Sequence, residues 1–443
     1  MLNTSAAEHQ VSIEEIRNYY VSGCKKNTDC KIGLEYERLP ISVKTGKNTD
    51  YSEVNGINTL LKKIGQNSEW SYITDAYNII GLRNPEKTIT LEPGCQFEYS
   101  ISPLKSVSEI NSSIEKTDKE IKKYLDELGI TLLNYGVSPV VTFKNINLIP
   151  KRRYKIMAKY MWGILADVMM RETAGFQCAF DYESEEDAAR KFIVANKLSP
   201  FVTAMFANSP VRGGVDTGYK SFRALSWLNT DNERCGFAFN LDDAFTFDTY
   251  IGKIMKAPVI FIEKEGLPVE INGRMNFENY MQNGFEGFVP TMKDYMLSAN
   301  LCFPEVRLND FIEIRNQDCN RKDLVLAGLA LYKGIMYDKD AMAEVENLFR
   351  GYKHIDFSEL RYDVPRSGME SEIQGQKISD ICKEIIKISE NSLKKLGEEK
   401  YLDSIKEYTM SGISPADEIL KNWYGSWDKN PQKLIEWIMK QNA

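Results

Sequence analysis

Residues 89–100 read ITLEPGCQFEYS, and they set two carboxylates, Glu92 and Glu98, in a segment that Ile89, Leu91 and Phe97 otherwise mark for burial. A carboxylate removed from water is costly unless it is paired with a cation or binds a metal. The stretch reads as strand broken at Pro93-Gly94, and beyond the break Gln96 and Glu98 share one face because strand side chains alternate. These acids therefore need partners from elsewhere in the chain.

Two further segments carry the same pattern. In GLEYE, residues 33–37, Glu35 and Glu37 point to one face of a strand and Leu34 and Tyr36 to the other. Two carboxylates about 7 Å apart on a rigid face repel each other, which makes a seat for a hard, oxygen-loving cation such as Mg²⁺. In DFIEIRN, residues 310–316, Phe311, Glu313 and Arg315 share one face while Ile312 and Ile314 share the other. Each segment alone also fits a solvated strand face; three together fit a polar funnel neutralised by Mg²⁺. The cationic candidates are Arg153 in PKRRY and Arg223 in YKSFRALSW, whose guanidinium forks match a substrate carboxylate, and Arg315, suited to charge on a transferring phosphoryl group. GGVDTGYKS, residues 213–221, fails the GxxxxGK[ST] spacing because Tyr219 separates Gly218 from Lys220, so it reads as a loop near a site.

Composition narrows the classes. The chain has 443 residues, 43% apolar and 27% charged, with a net charge of −7, and no basic patch points to nucleic acid. The N-terminal MLNTSAAEHQ lacks the pattern of a secretory signal, and the apolar run Met161–Met170 is short and interrupted by Asp167, so no membrane association is expected. Eight cysteines without a CxxC pair suggest free thiols in a reducing cytoplasm. With only His9 and His354, a His-rich zinc site is excluded and histidine-free chemistry comes first.

Periodicity predicts a first helix over 11–22 with a Ser12/Glu15 capping box, a strand in CKIGLEYERLPI, and helices at about 53–65 and 106–128. It then predicts strand-like VSPVVTF, a helix over about 151–171, a strand in TAGFQCAFDY, a helix over 184–207, and strands in APVIFIEKE and EVRLNDFIEIRN. Beyond 320 the pattern is helical. Strands and helices without regular βαβ alternation indicate an α+β fold. We expect a single domain over 1–443, with a sheet-containing core to about 330 and a mainly helical part packed on it.

The ordered series GLEYE, TLEPGCQFEYS, PKRRYKIMAKYM, FANSP running into TGYKSFRALSWLNTDNERCGF, and FPEVRLNDFIEIRNQD resembles the plant-type glutamate-cysteine ligases. The resemblance implies a glutamine-synthetase-like, curved, mainly antiparallel sheet forming a funnel surrounded by helices. It implies an ATP-dependent ligase of glutathione biosynthesis that joins the γ-carboxylate of L-glutamate to the amine of L-cysteine through a γ-glutamyl phosphate. It carries metal ligands over to Glu35, Glu37, Glu92, Glu98 and Glu313, and glutamate binding to Arg153 and Arg223, with Gln177 as a further candidate. Arg315 is expected at the ATP phosphates, and Arg315 and Arg223 as the catalytic arginines. The expected partners are small molecules only: glutamate, cysteine and ATP. The chain departs from the family pattern at Cys95, at Gly175 where relatives carry a Thr, at Ile260 where they carry Tyr, and in DCNRKD, residues 318–323. Those departures leave open a ligase of this fold with another amine acceptor, or a catalytically silent homologue.

Overall fold

The computed structural model describes residues 9–26 and 29–441. The N-terminal reading against a signal falls mostly on residues 1–8, outside that range.

Alternation builds one 9-stranded sheet among the described residues, with every pairing antiparallel. Its strands are β1 (Ile32–Ser42), β2 (Ser71–Asp75), β3 (Asn78–Arg83), β4 (Lys87–Leu91), β5 (Phe97–Leu104), β6 (Ile130–Leu133), β7 (Gly175–Phe180), β8 (Val306–Leu308) and β9 (Ile312–Asp318). They run in the order β8-β9-β7-β1-β5-β4-β3-β2, and β6 pairs with the second half of β1. Consecutive strands joined by hairpins account for β2 to β5, and the central β1 is flanked by β5 and β7, which come later in the chain.

Register does the positioning. Glu37 lies opposite Glu98, Glu35 opposite Ser100 and Gln177, Thr90 opposite Glu98, and Glu313 opposite Ala179. Because paired residues share a face, the acids of β1, β5 and β9 fall on one side of the sheet. The other side carries Leu34, Tyr36, Phe97, Tyr99, Phe176, Cys178, Ile312 and Ile314, all buried.

That apolar side is covered by helices. Helix α1 (Ile13–Ser22) starts at a Ser12/Glu15 capping box, as expected. Helix α2 (Ile57–Ile64) packs on α3 (Val107–Leu128), whose buried Ile110, Ile114, Thr117 and Ile121 form a stripe at helical spacing. Helices α4 (Arg152–Tyr160) and α5 (Ala166–Glu172) follow, then α6 (Glu185–Met205), α7 (Phe222–Leu228), α8 (Phe247–Lys256), α9 (Phe277–Asn283) and α10 (Met292–Asn300). The last part is helical: α11 (Lys322–Met336), α12 (Lys339–Leu348), α13 (His354–Ser367), α14 (Ile378–Lys394), α15 (Asp403–Met410), α16 (Pro415–Tyr424) and α17 (Pro431–Gln441). Helix α11 is buried along nearly its whole length and packs on both the sheet and α14. The α+β architecture is the one expected.

Several elements differ from expectation. VSPVVTF is not a strand: Pro139 lacks an amide proton, the Ser138 and Pro139 carbonyls accept from Gly213 and Gly214, and the segment ends in a 3₁₀ turn at Phe143–Asn145. The helix expected over 151–171 is two helices, because Gly163 and Leu165 donate their amides to Thr230 and Asn229 instead of continuing the helical ladder. Phe261–Lys264, within APVIFIEKE, pairs only with Leu267–Glu270 as a separate hairpin. EVRLNDFIEIRN is a hairpin of two strands, and the β2–β3 hairpin had no counterpart in the sequence reading.

Candidate active site

The acidic side of the sheet opens into a cavity of about 300 Å³ lined by Glu35, Glu37, Glu92, Glu98, Gln177, Arg153, Arg223, Arg307 and Arg315, among others. Glu35 and Glu37 come from β1, Glu98 from β5, and Glu92 from the turn between β4 and β5, where Cys95 donates its amide to the Glu92 carbonyl at 3.0 Å. Gln96 braces that turn: its side chain accepts from Gly94 N–H at 2.7 Å and donates to the Met170 and Thr173 carbonyls.

Each carboxylate has a distinct setting. Glu37 accepts from the Gly175 amide at 2.6 Å and from Gln177 Nε2 at 3.0 Å. Glu98 accepts from Thr90 Oγ1 at 2.5 Å and Ser100 Oγ at 3.1 Å. Glu92 accepts from the Tyr154 hydroxyl at 3.3 Å. Burial, and then the charge of Glu313, push the Glu35 carboxyl up to about 7. Burial followed by the neighbouring Glu35 and Glu92 push Glu98 well above the usual carboxylate range. Burial also raises Glu37, with Arg223 opposing. Buried carboxylates facing one another repel, and a divalent cation relieves that repulsion.

The donor set fits a hard cation: it is all oxygen, from carboxylates on a rigid sheet. Among the described residues no three acidic, histidine or cysteine side chains converge closely enough to enclose an ion by themselves. An ion held here would keep waters or take substrate oxygens, the habit of Mg²⁺.

Glu313 lies behind these residues and spends its oxygens on arginine. Arg307 grips it bidentately at 2.8 and 2.9 Å, Arg315 Nη1 also donates to it, and Asn309 Nδ2 donates at 3.1 Å. Burial pushes its carboxyl up, but the two guanidinium groups outweigh burial and hold it below the usual range. Arg315 Nη1 also donates to Gln177 Oε1 at 2.5 Å, so Glu37, Gln177, Arg315 and Glu313 form one chain of polar contacts.

Arg223 sits on the first turn of α7. Ser221 caps that helix and donates to buried Asp318 at 2.8 Å, and Asp318 also accepts from Ser209 Oγ and the Asn208 amide. Arg223 is 2% exposed, its Nη2 donates to the Arg315 carbonyl at 3.2 Å, and its Nε and Nη1 have no hydrogen-bond partner among the described residues. A buried guanidinium with unspent donors beside a cavity is suited to an anion. Arg153, at the start of α4, is exposed and its guanidinium lies over the Tyr154 ring.

All the residues singled out in the sequence except Glu313 line one cavity, and Glu313 touches two that do. The loop 213–221 lies at the start of α7, with Lys220 paired to Asp417. Ile260 does not line the cavity: it is 1% exposed within the core. His9 is bonded to Glu15 on the surface, and His354 Nδ1 accepts from the Leu241 amide. Sequence reasoning missed Arg307, although it lies opposite Glu313 in the β8–β9 hairpin, and a hairpin reading of EVRLNDFIEIRN would have paired them. It also missed the apolar wall of Met157, Met169, Met170, Trp227, Leu301 and Phe303, for which no local signal exists.

Residues 31–435 match the family model described as glutamate-cysteine ligase family 2. The chain is 30% identical over 434 residues to the chloroplastic glutamate–cysteine ligase B of Oryza sativa subsp. japonica, covering 96% of this chain and 87% of that protein. It is 31% identical over 441 residues to the chloroplastic glutamate–cysteine ligase of Nicotiana tabacum, covering 98% and 84%. In fold it is similar to the glutamate–cysteine ligase of Francisella tularensis, solved in complex with AMP, with a TM-score of 0.59, 12% identity, and 94% and 89% of the two chains covered. It is also similar to a bifunctional glutathione synthetase of Pasteurella multocida, with a TM-score of 0.53 and 11% identity; the match spans 98% of this chain and 53% of that one.

The expected cytoplasmic location is corrected by these relatives, which are chloroplastic and point to a plastid. Free thiols indicate only a reducing compartment and do not distinguish one such compartment from another.

Proposed function

The chain belongs to glutamate-cysteine ligase family 2, and we propose that its acidic cavity is where the γ-carboxylate of L-glutamate is joined to the amine of L-cysteine, with ATP converted to ADP and phosphate. The protein is a ligase, and its product, γ-glutamylcysteine, belongs to glutathione biosynthesis. The observation that carries the assignment of the site is the convergence of four acids and four arginines, from strands, turns and helix ends far apart in the chain, on one cavity.

Glutamate presents two carboxylates, and the two ends need different partners. Arg223 takes the α-carboxylate, because its buried Nε and Nη1 are unspent and a guanidinium fork matches two oxygens. Arg153 at the mouth supplies a second cation for the same substrate. The γ-carboxylate oxygen attacks the terminal phosphorus of ATP, the bond to the β,γ-bridging oxygen breaks, and ADP leaves. Arg315 and Arg307, held side by side on Glu313, offset the charge of the transferring phosphoryl group. Gln177 spends both ends of its amide on Glu37 and Arg315, so it orients them.

Glu35, Glu37, Glu92 and Glu98 would hold Mg²⁺, which when bound supplies charge to offset the repulsion between phosphates and the acidic floor. Glu313 is better suited to fixing the two arginines. The apolar wall excludes water from the γ-glutamyl phosphate. The cysteine amine then attacks the acyl carbon, the bond to the phosphate oxygen breaks, and phosphate leaves as the amide forms and the nitrogen sheds its proton.

ADP release in the presence of glutamate, ATP and Mg²⁺, measured across cysteine and a panel of other amines, tests this. Cysteine should stimulate release most; no stimulation by cysteine would overturn the assignment. The burial of Ile260 away from the cavity removes one of the reasons for expecting another acceptor.

A further inference from the structure

Gly175 opens β7 at the floor of the cavity, and its backbone does not call for glycine, since its φ lies outside the left-handed region. Space does. A Cβ there would lie 2.5 Å from Arg223 Nη2, 2.6 Å from Cζ and 2.7 Å from Nε. The guanidinium therefore rests against the Gly175 backbone, in the volume any other residue's side chain would fill.

The surroundings give that guanidinium little room to retreat. Its Nη2 is bonded to the Arg315 carbonyl at 3.2 Å, and the Trp227 ring stands 5.9 Å from its Cζ. The helix beneath it is pinned: the Arg223 amide donates to Ser209 Oγ at 3.2 Å, and Ser221 holds buried Asp318 at 2.8 Å. A side chain at position 175 would drive the guanidinium towards the cavity. Moving from 2.5 Å to an ordinary contact of about 3.5 Å is a shift of about 1 Å, comparable with the reach of one methylene group.

Gly175 acts on the opposite wall as well, because its amide holds Glu37 at 2.6 Å. We infer that Gly175 is a positioning residue that sets the substrate length this cavity accepts. By letting Arg223 sit deep, it leaves room between the guanidinium and the acidic floor for a five-carbon acidic amino acid in preference to a four-carbon one. The inference rests on the reading above, that Arg223 holds the α-carboxylate of the substrate.

Steady-state kinetics of Gly175→Ala with glutamate, aspartate and ATP test it, with the unsubstituted enzyme and Arg223→Ala alongside. The glutamate KM of Gly175→Ala should rise about tenfold or more, with a smaller fall in kcat and the ATP KM within about twofold of the original. The ratio of kcat/KM for aspartate over glutamate should rise. If Gly175→Ala keeps the original glutamate KM and selectivity while Arg223→Ala raises the glutamate KM, the inference is overturned and the substrate assignment stands. If Arg223→Ala leaves the glutamate KM unchanged, the assignment itself falls, and the inference with it. Should Gly175→Ala fail to fold, the double variant Gly175→Ala/Arg223→Lys decides, because lysine has no planar head to fill the slot. A melting temperature matching that of Arg223→Lys supports the contact, and a double variant as unfolded as Gly175→Ala overturns it.

Discussion

At Glu98, burial and the facing charge of Glu35 act in the same direction, and hydroxyls from Thr90 and Ser100 are its hydrogen-bond donors. Such a residue is a cost to the empty protein that only a bound cation offsets. Glu98→Gln should therefore raise the unfolding free energy of the metal-free protein, by about 1 kcal/mol or more. The same change should lower turnover by about a hundredfold or more, because one of the proposed oxygen ligands is lost. Thermal unfolding with and without Mg²⁺ checks both halves of the argument: magnesium should raise the melting temperature of the original protein more than that of the variant. An apo variant less stable than the original would show that Glu98 is not under charge repulsion. Cys95 illustrates a different residue-level compromise. It occupies a left-handed conformation, with φ of 72°, in the turn that presents Glu92, while its side chain is 1% exposed. Glycine suits that backbone better, but would forfeit the buried thiol.

At the scale of elements, helix ends are where local sequence predicts structure best, and α12 offers a clean case. Asp338 caps it, accepting from the Asp340 and Ala341 amides at 3.0 and 3.2 Å, and pairs with Lys395 at 2.5 Å. Partial burial pushes its carboxyl up, but Lys395 and those amides outweigh this and hold it below the usual aspartate range. A depressed folded-state value means that the stabilisation is present above the unfolded value, near 3.9, and is lost as the pH falls through the folded one. Asp338→Ala should lower the unfolding free energy at pH 7 by about 1 kcal/mol, and urea titrations below about pH 4 should show that gap closing. An equal gap at both pH values would contradict this account. The same locality explains what was legible and what was not. The capping box of α1, the stripe of α3 and the alternation of β1, β5, β7 and β9 are local patterns, and with them came the acids that line the cavity. The break between α4 and α5 depends on Thr230 and Asn229 carbonyls supplied from α7's end, and the irregular course of VSPVVTF on Gly213 and Gly214. Tertiary partners decide both, and no window of sequence contains them. Arg307 was missed for a related reason: its role exists only once β8 and β9 are aligned.

For the whole molecule, the question is whether the helical part beyond residue 330 stands alone or completes the sheet, and the polar contacts favour one cooperative domain. Helix α7, which carries Arg223, begins where the Lys220 and Ser221 amides both donate to the Pro365 carbonyl of α13, at 2.8 and 3.0 Å. Lys220 also pairs with Asp417 of α16. Deeper still, Lys333 of α11 donates to Glu398 at 2.5 Å and to the Lys105 carbonyl at 2.9 Å, while Glu398 accepts from the Val107 amide at the first turn of α3 at 2.9 Å. Both side chains are less than 10% exposed, so each depends on the other to offset its lost hydration. Removing one partner strands a buried charge, and Lys333→Met should destabilise the protein by about 3 to 5 kcal/mol. Replacing both, in Lys333→Met/Glu398→Met, removes the stranded charge and leaves mainly the Val107 amide and the Lys105 carbonyl unpaired, each worth about 1 to 3 kcal/mol. The double variant should therefore be no less stable than Lys333→Met, although it carries one more substitution. Because the contact joins the tail to α3, the loss should appear as a shift of one unfolding transition, followed by both tryptophan fluorescence and circular dichroism. Two separated transitions in the original protein, with only the second moved by Lys333→Met, would mean that the tail folds as a unit of its own and that the site helix is braced by a neighbouring domain.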